Sequence, residues 1–158
     1  MCLIRMCGAT DRFLAGHAGK KYGYGWKVVE VVQAKSWQSS SGFSVGDFAP
    51  PCFPMSTSGA YLIRYSKSGW NVVPVNNIGY REIGKGAWHL FSNRADARKV
   101  AASLKKGRGI FIIKRVQFPV DAFIAVGCPH LIDCEIWNIS PDKASSICVT
   151  KFRFVSGR

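Results

Sequence analysis

Between Arg98 and Arg115 the chain carries Arg98, Lys99, Lys105, Lys106, Arg108, Lys114 and Arg115, with Arg94 just ahead and no acid inside the segment. Guanidinium and ammonium groups gathered this closely suit a ligand rich in phosphate, because each neutralised phosphate releases counterions from the polyanion. Gly107-Arg108-Gly109 sits in the middle, where backbone N–H groups can approach a phosphate. Lys114 and Arg115 are adjacent, so on a strand they point to opposite faces and at most one joins the patch. A second stretch, Lys20-Lys21-Tyr22-Gly23-Tyr24-Gly25-Trp26-Lys27, interleaves cations, rings and glycines. Bases stack on rings while lysines hold phosphates. The simpler reading, which the pattern favours, has Trp26 opening a core strand and the tyrosines covering it. A dinucleotide fingerprint is excluded, since the third glycine and a preceding strand are missing.

Other reactive side chains are isolated. Cys128, His130 and Cys134 are thiols and an imidazole of the kind zinc takes, but their spacing is not that of paired ligands, and no metal is expected. Cys2 becomes the terminal residue if Met1 is removed, and a terminal cysteine can act as a nucleophile with its own amine as base. His17, His89 and His130 lack a paired motif, and His89, between Trp88 and Leu90, reads as a packed strand residue.

The composition sets the frame for these groups. The chain has 158 residues, with 22 Lys and Arg against 9 Asp and Glu, a formal charge of +13. One domain spanning residues 1–158 is expected. Such charge draws polyanions: nucleic acid, a ribonucleoprotein, a phosphorylated nucleotide or an acidic protein surface. No apolar run approaches the roughly 20 residues of a membrane span, and no basic start precedes a long apolar segment, so a cytoplasmic protein without a membrane partner is expected. Six cysteines in that setting are expected to be reduced thiols.

The elements that must position these groups follow from periodicity. Trp26–Val32 is β-branched and predicts a strand. Residues 36–59, with three serines in a row and Pro50, Pro51 and Pro54, predict an irregular surface loop. Tyr61–Tyr65 and Trp70–Val75 predict a hairpin joined by Ser66–Gly69. Ala97, Val100, Ala101 and Leu104 form an apolar stripe at helical spacing, capped by Ser92 or Asn93 and stopped near Gly107. Gly109–Val116 predicts a central strand ending by Pro119, and Ala122–Val126 a short one. Ile132–Trp137 and Ile147–Val155 alternate as strands, the latter with Cys148, Thr150, Phe152 and Phe154 on one face and Lys151 and Arg153 on the other. The fold class is α+β: a mixed, mostly antiparallel sheet packed by one main helix.

In their order along the chain, Met1-Cys2, Gly25-Trp26-Lys27-Val28, Trp88-His89-Leu90-Phe91 before Asp96-Ala97, Ile112–Val116 and Ala125-Val126-Gly127 resemble a group of small tailed-phage proteins. The resemblance implies an accessory gene acting on host machinery or defence, with no cofactor. A second, local resemblance runs from Gly86 to Ile112 and is to the central strand–helix–strand of ADP-ribosyltransferase-like folds. It implies an aromatic at Trp88 stacking on the nicotinamide of NAD, with Glu135 in the place of a late catalytic acid. The early strand motif of that family is absent. Three readings follow: a binding protein whose basic surface engages nucleic acid or a phosphorylated nucleotide, an enzyme using NAD, and an inhibitor of an acidic host protein.

Overall fold

A computed structural model describes residues 3–33, 44–49, 64–72, 82–83, 87–104, 109–129 and 146–156. The elements run β1 (Leu3–Arg5), α1 (Cys7–Gly16), β2 (Tyr22–Val31), β3 (Phe48–Ala49), β4 (Asn71–Val72), β5 (Glu82–Ile83), β6 (Trp88–Phe91), α2 (Arg94–Leu104), β7 (Ile110–Pro119), a 3-10 turn (Val120–Ala122), β8 (Phe123–Pro129), β9 (Ser146–Val149) and β10 (Lys151–Phe154). The class is α+β. The strands join in the order β4-β10-β7-β2-β6-β9-β8-β1-β5, with β3 beside β2, and each pairing among the described strands is antiparallel. No described helix is long and apolar enough to cross a membrane.

The centre is the long pairing of β2 with β7, from Tyr22 opposite Pro119 to Val31 opposite Ile110. Both strands are β-branched and aromatic, which suits a pleated surface buried on two sides. One face holds Val28, Phe111 and Phe91 under the stripe Ala97, Val100 and Ala101 of α2, with Trp26 and Leu104 at its margin. The helix starts as expected: Asn93 Oδ1 accepts from the Ala95 N–H at 2.7 Å, and Arg94, Arg98 and Lys99 are exposed. The opposite face is a core of Val29, Leu90, Val116, Phe118, Val149 and Phe152, joined by Tyr65 and Trp88.

Several expectations are corrected. β2 begins at Tyr22, four residues before the predicted strand, because Gly23 and Gly25 face the core and admit Phe118 and Leu90 against the backbone. Phe48–Ala49, inside the expected loop, pairs with Glu30 and Val31; 34–43 and 50–63 lie outside the described residues. Of the hairpin expected about Ser66–Gly69, residues 64–72 are described. The Ser66 N–H donates to Asn71 Oδ1 at 2.7 Å and Asn71 Nδ2 donates to the Ser66 carbonyl at 3.1 Å, so side-chain bonds close the turn. Tyr65 bridges Phe48, and Asn71 and Val72 pair with Phe152 and Lys151, while 73–75 lie outside the described residues. The predicted strand 147–155 is two strands. At Thr150 the N–H turns to the Ala122 carbonyl (2.9 Å), and the alternation changes phase. Ile147 and Val149 therefore share the core with Phe152, while Cys148 packs on the other side with Ala125. The strand expected at 132–137 lies outside the described residues.

Candidate nucleic-acid interface

Successive residues of a strand alternate faces, so the run Tyr22-Gly23-Tyr24-Gly25-Trp26 sends three rings to one side and two glycines to the other. The helix-packed cluster on the ring side stops at Trp26. Beyond it the face is open: Tyr24 is 47 % exposed and Tyr22 half-buried. Cross-strand register adds the cations. Arg115 lies opposite Trp26, Gln117 opposite Tyr24, and Arg153 beyond Gln117.

Cations and rings interleave here at close range. The Arg115 guanidinium is 4.8 Å from the Tyr24 ring centroid, and Arg94 of α2 is 5.2 Å from that of Trp26. Trp70 takes Arg153 at 4.6 Å and Lys151 at 5.0 Å. Tyr22 takes Lys21 at 5.4 Å and Arg153 at 5.8 Å, and its ring runs nearly parallel to that of Trp70, 6.5 Å between centroids and 20° between planes. Such contacts hold cation heads over ring faces without neutralising them. None of these cations is within ion-pair distance of a carboxylate among the described residues; the pair found there, Arg64–Asp47 at 3.8 Å, lies elsewhere.

The expected phosphate patch is partly redistributed. Arg94 and Arg115 belong to this face, and Arg98 and Lys99 are exposed along α2. Lys114 points to the other side, 6.0 Å from the Phe48 ring, as strand alternation requires. Lys105, Lys106 and Arg108 lie outside the described residues. Of the second stretch, Lys21, Tyr22 and Tyr24 are on the face and Lys20 is exposed beside it. Lys27 is a correction: alternation turns it into the opposite core, where it is 7 % exposed. Its Nζ donates to the His89 carbonyl at 2.9 Å and lies 5.7–5.8 Å from the rings of Tyr65, Trp88 and Phe152. A buried ammonium needs such compensation. Trp70, Lys151, Arg153 and Gln117 were not singled out from sequence. They reach the site from three separate segments, Lys151 and Arg153 from β10, Gln117 from β7 and Trp70 from just before β4, and a pairing register is needed to bring them together.

The remaining candidates do not converge on a catalytic centre among the described residues. Trp88 is buried, its Nε1 donating to the Asn71 carbonyl at 3.0 Å, its ring edge-on to Tyr65 and Phe152. His89 is half-buried on β6 opposite Cys148. Cys128 is placed in β8 by its backbone; Cys2, His130, Cys134 and Glu135 lie outside the described residues. No cluster of three metal-ligating side chains occurs among the described residues. Burial pushes the Cys148 thiol up to about 12, with the Lys27 charge opposing. Burial also raises the Glu30 carboxyl to about 7; its Oε2 has no hydrogen-bond partner among the described residues.

The chain matches no known protein family, no curated protein and no solved structure.

Proposed function

We infer that this is a nucleic-acid-binding accessory protein of phage type, acting on nucleic acid or a ribonucleoprotein of its host. The observation that carries the reading is the open sheet face on which Tyr22, Tyr24 and Trp70 alternate with Lys21, Arg115, Lys151 and Arg153, none of which pairs with a carboxylate among the described residues. Phosphates supply the anionic partner for the cations, and bases supply flat partners for the rings. The overall charge of +13 favours encounter with polyanions at long range.

The test is binding of labelled oligonucleotides to wild type and to an Arg115→Gln/Arg153→Gln variant across a series of salt concentrations. Wild type binds with a log–log salt slope of about −3 if four phosphates are neutralised on a single strand. The variant binds more weakly and its slope is shallower by roughly one to two. Binding that is absent, or unaltered by the variant, overturns the reading; retention of an acidic host protein after nuclease treatment would then favour a protein partner.

A further inference from the structure

Gln117 sits in the middle of the open face, 7 % exposed, between its two cross-strand neighbours Tyr24 and Arg153. Both corners of its amide are used. Arg153 Nε donates to Gln117 Oε1 at 2.7 Å, and Gln117 Nε2 donates to the Tyr24 hydroxyl oxygen at 3.0 Å. The direction of this chain is forced. A guanidinium can only donate, so the amide corner facing it is the oxygen; the other corner is the NH2, and the tyrosine oxygen must accept from it. The Tyr24 hydroxyl hydrogen is consequently not used on Gln117 and remains for an outside acceptor. Arg153 uses Nε on Gln117, and no hydrogen bond or ion pair among the described residues engages its two Nη groups, which are donors only.

We propose that Gln117 is a positioning residue that presets Tyr24 and Arg153 as hydrogen-bond donors for an unpaired nucleic-acid strand, in preference to a duplex. The inference rests on the nucleic-acid reading above and specifies the ligand of that face. Tyr22 and Tyr24, the two rings of β2 beyond the helix-packed cluster, are two residues apart on one strand, so their attachment points lie ~6.6 Å apart. Stacked bases of a duplex repeat every ~3.4 Å per strand and show a flat surface only their phosphates. A strand drawn out of its stack matches the wider spacing, laying bases on rings and phosphate oxygens on the donors.

The decisive measurement is a double-mutant cycle read by fluorescence anisotropy, with one labelled DNA oligonucleotide used single-stranded and then annealed to its complement. Wild type binds the single strand at least about tenfold more tightly than the duplex. Tyr24→Phe, which keeps the ring, weakens single-strand binding about three- to tenfold by removing the outward donor. Gln117→Glu accepts from both Arg153 and Tyr24 and so turns the tyrosine hydrogen inward; in that background Tyr24→Phe costs nothing further. A residue that only supports the fold lowers the melting temperature without this non-additivity. If Gln117→Glu does not fold, Gln117→Met serves as the background: with Tyr24 no longer fixed, Tyr24→Phe costs less there than in wild type. Equal cost of Tyr24→Phe in wild type and in the folded Gln117 variant overturns the positioning role. Equal binding of single strand and duplex overturns the strand preference while leaving the nucleic-acid reading standing, and absence of binding to both overturns the two together.

Discussion

The ring of Phe118 lies so close to the backbone of Gly23 that a Cβ on the glycine would sit 2.5 Å from the phenylalanine Cζ. Phe118 is fully buried, and the glycine is what lets it press on β2 while Tyr22 and Tyr24 face outward. Gly23→Ala therefore overpacks the core, with an expected loss of about 1–3 kcal/mol. At this chain length that is a fall in melting temperature of roughly 2–4 °C per kcal/mol. Adding Phe118→Leu makes room for the new methyl, so the double variant loses less than the sum of the two single ones. Additive losses would show that the close approach does not limit the packing.

Part of this arrangement is readable from the chain alone. The helical stripe from Ala97 to Leu104 is strongly periodic and finds its partners as expected, and the Ile110-Phe111-Ile112-Ile113 run is central because both of its faces are apolar. α1 was missed although Met6, Thr10, Phe13 and His17 recur at helical spacing and turn inward to varying degree; the glycines at its ends and its short length weaken the pattern. The hydrogen bond between Gln117 and Tyr24 spans 93 residues of sequence, and Trp70 meets Arg153 from another strand again. No local periodicity encodes those meetings. The phase change at Thr150 is invisible for the same reason: the carbonyl that captures its N–H belongs to Ala122.

Glu30 gives the stability a pH dependence of known sign. Burial raises its carboxyl from 4.5 to about 7, so the folded state holds a proton that the unfolded chain gives up more readily. Its contribution is fully present below about pH 4.5 and is lost as pH rises to about 7. Glu30→Gln keeps the shape without the charge. Urea denaturation should find it more stable than wild type at pH 8, by up to roughly 3 kcal/mol, and indistinguishable near pH 4.5. An advantage that is the same at both values would mean that the carboxyl does not titrate in this range.

Cys7 and Cys148 should separate kinetically. Cys7 is exposed at the start of α1, whereas Cys148 is buried and its thiol is pushed up to about 12 by that burial. The thiolate is the reactive form. Brief iodoacetamide treatment followed by peptide mass analysis should label Cys7 and spare Cys148 until denaturant is added. Equal labelling in the native protein would mean that the β8–β9 region opens on the timescale of the reaction.

Lys27 and Arg115 provide the sharpest contrast between the two faces of the sheet. Each lies diagonal to the other across the β2–β7 pairing, with Trp26 opposite Arg115 and Lys27 opposite Lys114, yet their side chains leave in opposite directions. Lys27 is held in the core by the His89 carbonyl and three rings; Arg115 is exposed over Tyr24. Lys27→Met replaces the ammonium by a thioether of similar length, which removes the desolvated charge and its hydrogen bond together. Such exchanges of a buried charge for a hydrophobe of like volume are often near neutral, so the melting temperature should move little. Lys27→Ala, which leaves a cavity, should cost about 2–4 kcal/mol. Neither change reaches the open face, so the folded Met variant should bind single-stranded DNA as wild type does, while Arg115→Gln should weaken binding and leave the melting temperature within a degree or two, as expected for an exposed charge. Binding lost in Lys27→Met at unchanged stability would place the nucleic acid on the Lys27 side of the sheet and remove the open face from consideration.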